Sequence, residues 1–187
     1  MLKTIVLASA SPRRAKLLDM LGVAFTVVRP DCDETITPGF PPAEIVRLLA
    51  IRKAENVAAR LGSGEIIVAA DTLVWLDGRP FGKPRDEDEA YTMLRALSGR
   101  AHEVFTGLAV CWSGEIKSET QMTRVFFREL SDGEIWNYIR SGIPMDKAGA
   151  YGIQDRGALF VSRIVGDFYT VMGLPLCLLG QMLENEL

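Results

Sequence analysis

The chain predicts an α/β fold, a mixed parallel and antiparallel twisted sheet with flanking helices, and three observations carry that expectation. Short, partly β-branched runs such as Ile5-Val6-Leu7-Ala8 alternate with stripes of apolar residues at helical spacing. Glycine and proline punctuate the boundaries between them. The 187 residues are 48% hydrophobic and 24% charged, apolar enough to bury a core and too apolar for disorder. No internal repeat, low-complexity tract or linker divides the sequence, so residues 1–187 are expected to form a single domain, as one compact unit or two tightly fused lobes.

The first apolar run, ending at Ala8, feeds into Ser9-Ala10-Ser11-Pro12 and then a helix, with Ser11 as N-cap and Pro12 at the first helical position. Ala15, Leu17, Leu18 and Leu21 give this helix an apolar side, and Gly22 stands where a left-handed cap belongs. Phe25 to Val28 reads as a second strand, and Pro30 to Pro42 as a proline-rich acidic loop. A long helix follows, marked by Val46, Leu49, Ala50, Ala54, Val57, Ala58 and Leu61 and stopped by Gly62 and Gly64; Lys53 falls in or beside its apolar stripe.

Glu65 to Ala70 predicts a buried strand, interrupted by Asp71-Thr72 before Leu73 to Leu76 resumes it. Asp77-Gly78 predicts a tight hairpin turn, residues 79–85 a loop, and Asp86 with Glu89 the start of a helix carrying Ala90, Met93, Leu94 and Leu97. Val104 to Trp112 and Ile116 to Leu130 predict a β-hairpin about Ser113-Gly114-Glu115. Ser131 and Glu134 form a capping-box pattern ahead of a short helix. Ile143 to Val171 is glycine-dense and irregular, with a strand expected at Ala158 to Ile164, and a last amphipathic helix is expected from Pro175.

A net charge of -3 argues against a protein that coats nucleic acid and leaves room for a local pocket that takes a small phosphorylated molecule. Cys32, Cys111 and Cys177 lack the spacing of a disulfide framework or a zinc site. With no signal-like or membrane-spanning run, the expected location is the cytoplasm, with no membrane partner.

Several residues sit where structure alone would not put them. Arg13 and Arg14 occupy the first turn of a helix, where a cation costs roughly 0.3–1 kcal/mol against the macrodipole. They are either solvated or, with Ser9, Ser11 and the local backbone N–H groups, a receptor for polyphosphate. Asp71 breaks an apolar run; it either caps a strand end with Thr72 or binds a divalent cation and activates water. Glu34, beside Asp33, offers a second hard oxygen ligand suited to magnesium or manganese.

Lys53 and Lys83 are ordinary in isolation, but cations on rigid elements are what a departing pyrophosphate requires. Gln154 follows a glycine-rich stretch that serves as a structural turn or as a close approach to a base edge. His102, the only histidine, is expected to be structural, and the three tryptophans to pack.

Together, Leu7-Ala8-Ser9-Ala10-Ser11-Pro12-Arg13-Arg14, Asp33-Glu34, Lys53-Ala54, Ala70-Asp71-Thr72, Gly82-Lys83-Pro84, Ser98-Gly99 with His102, Thr106-Gly107, Asp146 to Tyr151, Ile153-Gln154 and Val171 to Leu176 fall in the order seen in Maf-type proteins. The chain closely resembles the Maf nucleotide pyrophosphatases over essentially its whole length. The resemblance implies a mixed α/β fold with a cleft between two lobes, similar to the inosine triphosphate pyrophosphatases. It implies house-cleaning hydrolysis of a nucleoside triphosphate to the monophosphate and pyrophosphate, with a divalent metal, Mg or Mn, as cofactor.

Carried over residue by residue, Asp71 resembles the proton-accepting catalytic residue, and Glu34 with Asp71 the metal ligands. Ser9, Arg14, Lys53 and Lys83 resemble phosphate contacts. Arg13, Thr72 and Gln154 resemble the marks of the branch that acts on dTTP and UTP, so a pyrimidine substrate, normal or modified, is expected. Thr170 departs from the family's common Asn or Ser, and Arg52 and Trp75 also look individual. The family's septum-related name suggests a different role, a non-hydrolysing nucleotide-binding regulator of cell division. The sequence leaves the oligomeric state open, a homodimer included.

Overall fold

The computed structural model describes residues 4–35, 39–61 and 64–184; the expected helix stop at Gly62 and part of the proline-rich loop lie outside them. Seven strands hydrogen-bond among the described residues in the order β2-β1-β3-β5-β6-β7, with β4 paired to β3. They are β1 (Ile5–Ala8), β2 (Phe25–Val28), β3 (Ile66–Leu76), β4 (Arg79–Phe81), β5 (Ala101–Trp112), β6 (Glu115–Phe127) and β7 (Val161–Val165). The sheet is mixed: β1 lies parallel to both β2 and β3, whereas β3 with β4 and β6 with β7 are antiparallel.

The chain groups into two compact units. The first comprises residues up to Thr72, Thr106–Gln121 and the C-terminal residues from Gly173. Its centre is β1, buried at all four positions as a strand with parallel neighbours on both sides must be. Val6, Ala8, Ile67 and Ala69 pack with Ala50, Ala54 and Val57 of helix α2 (Pro42–Leu61) and with Ala109 and Cys111. Helix α1 (Pro12–Asp19) buries Leu17 and Leu18 and ends toward Gly22, whose φ of 67° is the left-handed value expected there. Ser11 holds the N-cap position with extended backbone but its side chain makes no capping bond; the Ser11 N–H donates instead to Ser9 Oγ at 3.1 Å.

The second unit comprises Leu73–Phe105 and Met122–Met172. Helix α3 (Glu87–Leu97) begins as expected, with the Asp86 side chain accepting from the Glu89 N–H. Helix α4 (Asp132–Ile139) begins with a complete capping box between Ser131 and Glu134. Leu94 and Leu97 from α3, Ile135, Tyr138 and Ile139 from α4, and Val104, Val125, Phe127 and Phe160 form its core. The short helix α5 (Phe168–Met172) also belongs here, and α6 (Leu176–Leu183), with Pro175 as N-cap, to the first unit.

Four local expectations change. Asp71-Thr72 interrupts the apolar run but not the strand, because extended backbone alternates its side chains and both residues fit on the pleat. Arg79–Phe81, expected as loop, pairs as a short strand once Asp77 and Gly78, with φ of 51° and 75°, reverse the chain. Residues 156–160 form a 3-10 turn capped by Asp155, so the strand there is only Val161–Val165. The second hairpin arm ends at Phe127, since Arg128 and Leu130 turn their N–H groups to Phe160 O and Ser98 Oγ.

Candidate active site

In the first unit, Asp71 sits mid-strand in β3 and Lys53 lies in the buried stripe of α2, two turns after Val46. The Lys53 ammonium is 2.5 Å from Asp71 Oδ1 and 3.2 Å from Glu34 Oε2. The side chains of Lys53 and Asp71 are 6% and 14% exposed against 56% for Glu34, so the first pair is a sheltered ion pair and the third partner reaches in from solvent. Taking Asp71 out of water without a counter-charge would be costly, and Lys53 supplies that charge.

Two features set where Lys53 and Glu34 stand. A Cβ on Gly107 would lie 2.3 Å from the Val46 carbonyl oxygen, so only glycine lets α2 approach the strand this closely. Along one face of α2, Arg52, Asn56 and Arg60 then hold the incoming loop. Arg60 donates to Arg29 O, Asn56 exchanges two hydrogen bonds with the Asp31 backbone, and Arg52 donates to Thr35 O. Asp33 closes the turn by accepting from the Thr35 N–H and hydroxyl, which pulls its carboxyl below the usual carboxylate range. Glu34 is thereby carried to Lys53. Arg52, which looked merely individual in the sequence, has this role.

Arg14 forms the second part of the site. Its Nε donates to Gly173 O at 2.7 Å and its Nη2 to Thr72 Oγ1 at 3.0 Å. Thr72 Oγ1 also lies 2.9 Å from Thr106 Oγ1, on a residue with no exposed surface. Gly173 has a φ of 101°, and a Cβ there would fall 3.0 Å from Thr72 Oγ1. Burial lowers the Arg14 pKa from its ordinary value, opposed by the nearby Asp71 carboxylate, with Arg13 adding to the lowering. A guanidinium so desolvated and close to a second cation favours an anionic guest.

The structure therefore brings Arg14, Glu34, Lys53, Asp71 and Thr72 into one contiguous set, with Ser9 buried at the entrance to α1 and Arg13 beside Arg14. Lys83 and Gln154 belong to the second unit, where the Gly149 N–H donates to Gly82 O and so ties the loops of these two residues together. His102 is buried at 2% exposure, its Nε2 2.7 Å from the Tyr151 hydroxyl, which is the structural role its sequence context suggested. Sequence reasoning did not give Thr106 and Gly173 a role; a lone Thr-Gly pair and a glycine before Leu-Pro carry no signal of a partner far away in the chain.

Among the described residues, no group of three or more His, Cys, Asp or Glu side chains is placed to hold a metal ion. Two carboxylates, Asp71 and Glu34, nevertheless converge on one cationic position, filled by the Lys53 ammonium. Hard oxygens in this number are what magnesium uses when phosphates and water complete its shell. The donor set fits such an ion. No helix among the described residues is long and apolar enough to cross a membrane.

Comparison with known proteins bears on this geometry. The chain is 48% identical over 187 residues to a dTTP/UTP pyrophosphatase of Alkaliphilus oremlandii, covering 99% of this chain and 97% of the relative. It is 48% identical to one of Carboxydothermus hydrogenoformans, with 97% of each chain covered, and 44% identical to one of Bacillus cereus, with 98% and 96% covered. Among solved structures, a HAM1 protein from Coxiella burnetii matches with a TM-score of 0.58 at 18% identity, covering 98% of this chain and all of that one. The Staphylococcus aureus Ham1 protein matches at 0.54 and 18%, covering 99% and 100%, so the fold is shared although the sequences have diverged. With the family model described as Maf-like protein matching residues 4–186, the chain belongs to the Maf-like family.

Proposed function

We propose that this chain is a nucleoside triphosphate pyrophosphatase that cleaves dTTP and UTP, or modified pyrimidine nucleotides, to the monophosphate and pyrophosphate. The observation that carries this reading is the sheltered Asp71 carboxylate, held by Lys53 next to the anchored Arg14 guanidinium. A general base, a phosphate-binding cation and a second cation within one set of contacts is the equipment for phosphoanhydride hydrolysis. The full-length relatives named for this activity point the same way.

Arg14 and Lys53, with Ser9 and Lys83, bind the triphosphate oxygens. Asp71 accepts the proton of the attacking water as its oxygen adds to the α-phosphorus. The bond to the bridging oxygen breaks, and its electron pair departs on pyrophosphate, where the cations stabilise the charge. A magnesium or manganese ion held by Asp71 and Glu34 would, when bound, polarise the α-phosphate and lower the pKa of water. Thr72 acts through Arg14, since its hydroxyl is already engaged with Arg14 and Thr106. Arg13 and Gln154 are left to select the base.

Pyrophosphate release from a panel of nucleotides tests this. dTTP and UTP should be cut fastest, and removing divalent metal should stop the reaction. Asp71→Asn should lower kcat by about 10³-fold with the fold intact, within the range a general base contributes. An active Asp71→Asn enzyme removes Asp71 from the chemistry. Tight nucleotide binding by the unaltered protein with no pyrophosphate release points instead to a regulator. Faster cleavage of purine than of pyrimidine triphosphates overturns the specificity assigned to Arg13 and Gln154.

A further inference from the structure

Gln154 is exposed, yet the residues around it are fixed from several directions. Ile153 before it is buried. Asp155 after it accepts on Oδ1 from both the Tyr138 hydroxyl and the Gly157 N–H, each at 2.8 Å, while its Oδ2 lies 3.7 Å from Lys147 Nζ. The Tyr138 hydroxyl accepts in turn from the Gly152 N–H at 3.1 Å. One phenol therefore joins the residue two before Gln154 to the residue just after it. Lys147, 8% exposed, is itself held by Asp146 Oδ1 and Ile143 O.

The packing leaves no slack. A Cβ on Gly152 would lie 2.1 Å from Asp155 Oδ2 and 2.8 Å from Lys147 Cε, and one on Gly157 would lie 2.6 Å from Gly152 O. Burial, then the bond to Asp155, pushes the Tyr138 phenol well above its ordinary pKa, so it stays a donor throughout the physiological range. A tight turn needs only glycine and local backbone bonds. An ammonium, a carboxylate and a phenol gathered on the residues that flank one exposed glutamine are more than a turn requires. Hydrogen-bond discrimination between ligands depends on an amide that cannot swing to satisfy the wrong one.

We propose that Asp155, clamped between Tyr138 and Lys147, is a positioning residue that fixes the direction of Gln154 and thereby sets the preference for pyrimidine over purine nucleotides. The inference rests on the reading that Gln154 meets the base.

The test uses the full-length protein with Gln154→Ala, Tyr138→Phe and the double variant, reading kcat and KM for dTTP and dGTP by pyrophosphate release. Gln154→Ala should reduce the dTTP over dGTP ratio of kcat/KM. Tyr138→Phe alone should reduce it about tenfold, with the loss in KM for dTTP, and in the Gln154→Ala background it should change the ratio no further. The side-chain amide resonance of Gln154, assigned by its absence in Gln154→Ala, should show increased mobility in Tyr138→Phe.

An undiminished ratio in Tyr138→Phe while Gln154→Ala loses it overturns the positioning role and leaves the base contact standing. An undiminished ratio in Gln154→Ala overturns the base contact, and the proposal with it. Should Tyr138→Phe melt too low for kinetics, Lys147→Met loosens Asp155 from the opposite side and is held to the same ratio.

Discussion

The Lys53 cluster of the first unit and the Gln154 loop of the second solve one problem, holding a polar group still, by opposite means. Around Lys53 the restraint is charge: a sheltered ammonium between two carboxylates, on a strand and a helix that are rigid in their own right. Around Gln154 the Lys147–Asp155 ion pair is a loose 3.7 Å and the closer restraint is shape, because Gly152 and Gly157 leave no room for a Cβ and local bonds close the loop. Charge restraint can be exchanged for a metal or a phosphate. Shape restraint cannot, so the first region is suited to a group that changes partners during turnover and the second to one that keeps its direction.

The sharpest way to break this contrast is Lys53→Met. It leaves the sheltered Asp71 without its partner and should cost about 3 kcal/mol of stability. Millimolar Mn²⁺ should recover part of that in a thermal melt, a recovery much smaller in the unaltered protein. Equal melting of variant and wild type, with or without metal, would show that charge is not what holds this region. Gly157→Ala is the counterpart for shape. Its Cβ would meet the Gly152 carbonyl at 2.6 Å, and the expected loss of about 2 kcal/mol should be indifferent to metal.

Acid should separate the two regions again. Burial lowers the His102 pKa from 6.5 to about 3 in the folded state. The unfolded chain therefore binds a proton that the folded one refuses, and stability is lost as pH falls from about 6.5 toward 3. Between pH 7 and 5 the loss should be about 2 kcal/mol, and it should be absent from urea melts of His102→Gln. The smallest expected effect is Thr106→Val, which removes one hydroxyl behind Thr72 and Arg14. A rise of about fivefold in KM for dTTP, near 1 kcal/mol, would place Thr106 in the support of Arg14, and an unchanged KM would remove it.

Local chemistry made much of the fold legible. Ser131 with Glu134, Asp86 with Glu89, Asp77-Gly78 and the all-apolar β1 each announce their structure within a few residues. Lys53 was legible as a lysine in or beside an apolar stripe, because helical spacing sets it near Ala50, Ala54 and Val57, and its burial shows only in the fold. Its two carboxylates were not legible as its partners, since nothing in the sequence states the register between the 29–35 loop and α2. The 3-10 turns after Ile143 failed to show for the same kind of reason. Gly149 is placed by the space beside Val74, and that fit exists only after folding.

Gly107 carries a consequence for heredity. Every missense change at that codon adds at least one carbon where the Val46 carbonyl stands. Each would lift the helix bearing Lys53 and displace the ammonium from Asp71, so alleles at position 107 should be recovered in a genetic screen as losses of activity. They would be grouped with active-site lesions although every reactive group is still present and the damaged residue has no functional atom to lose.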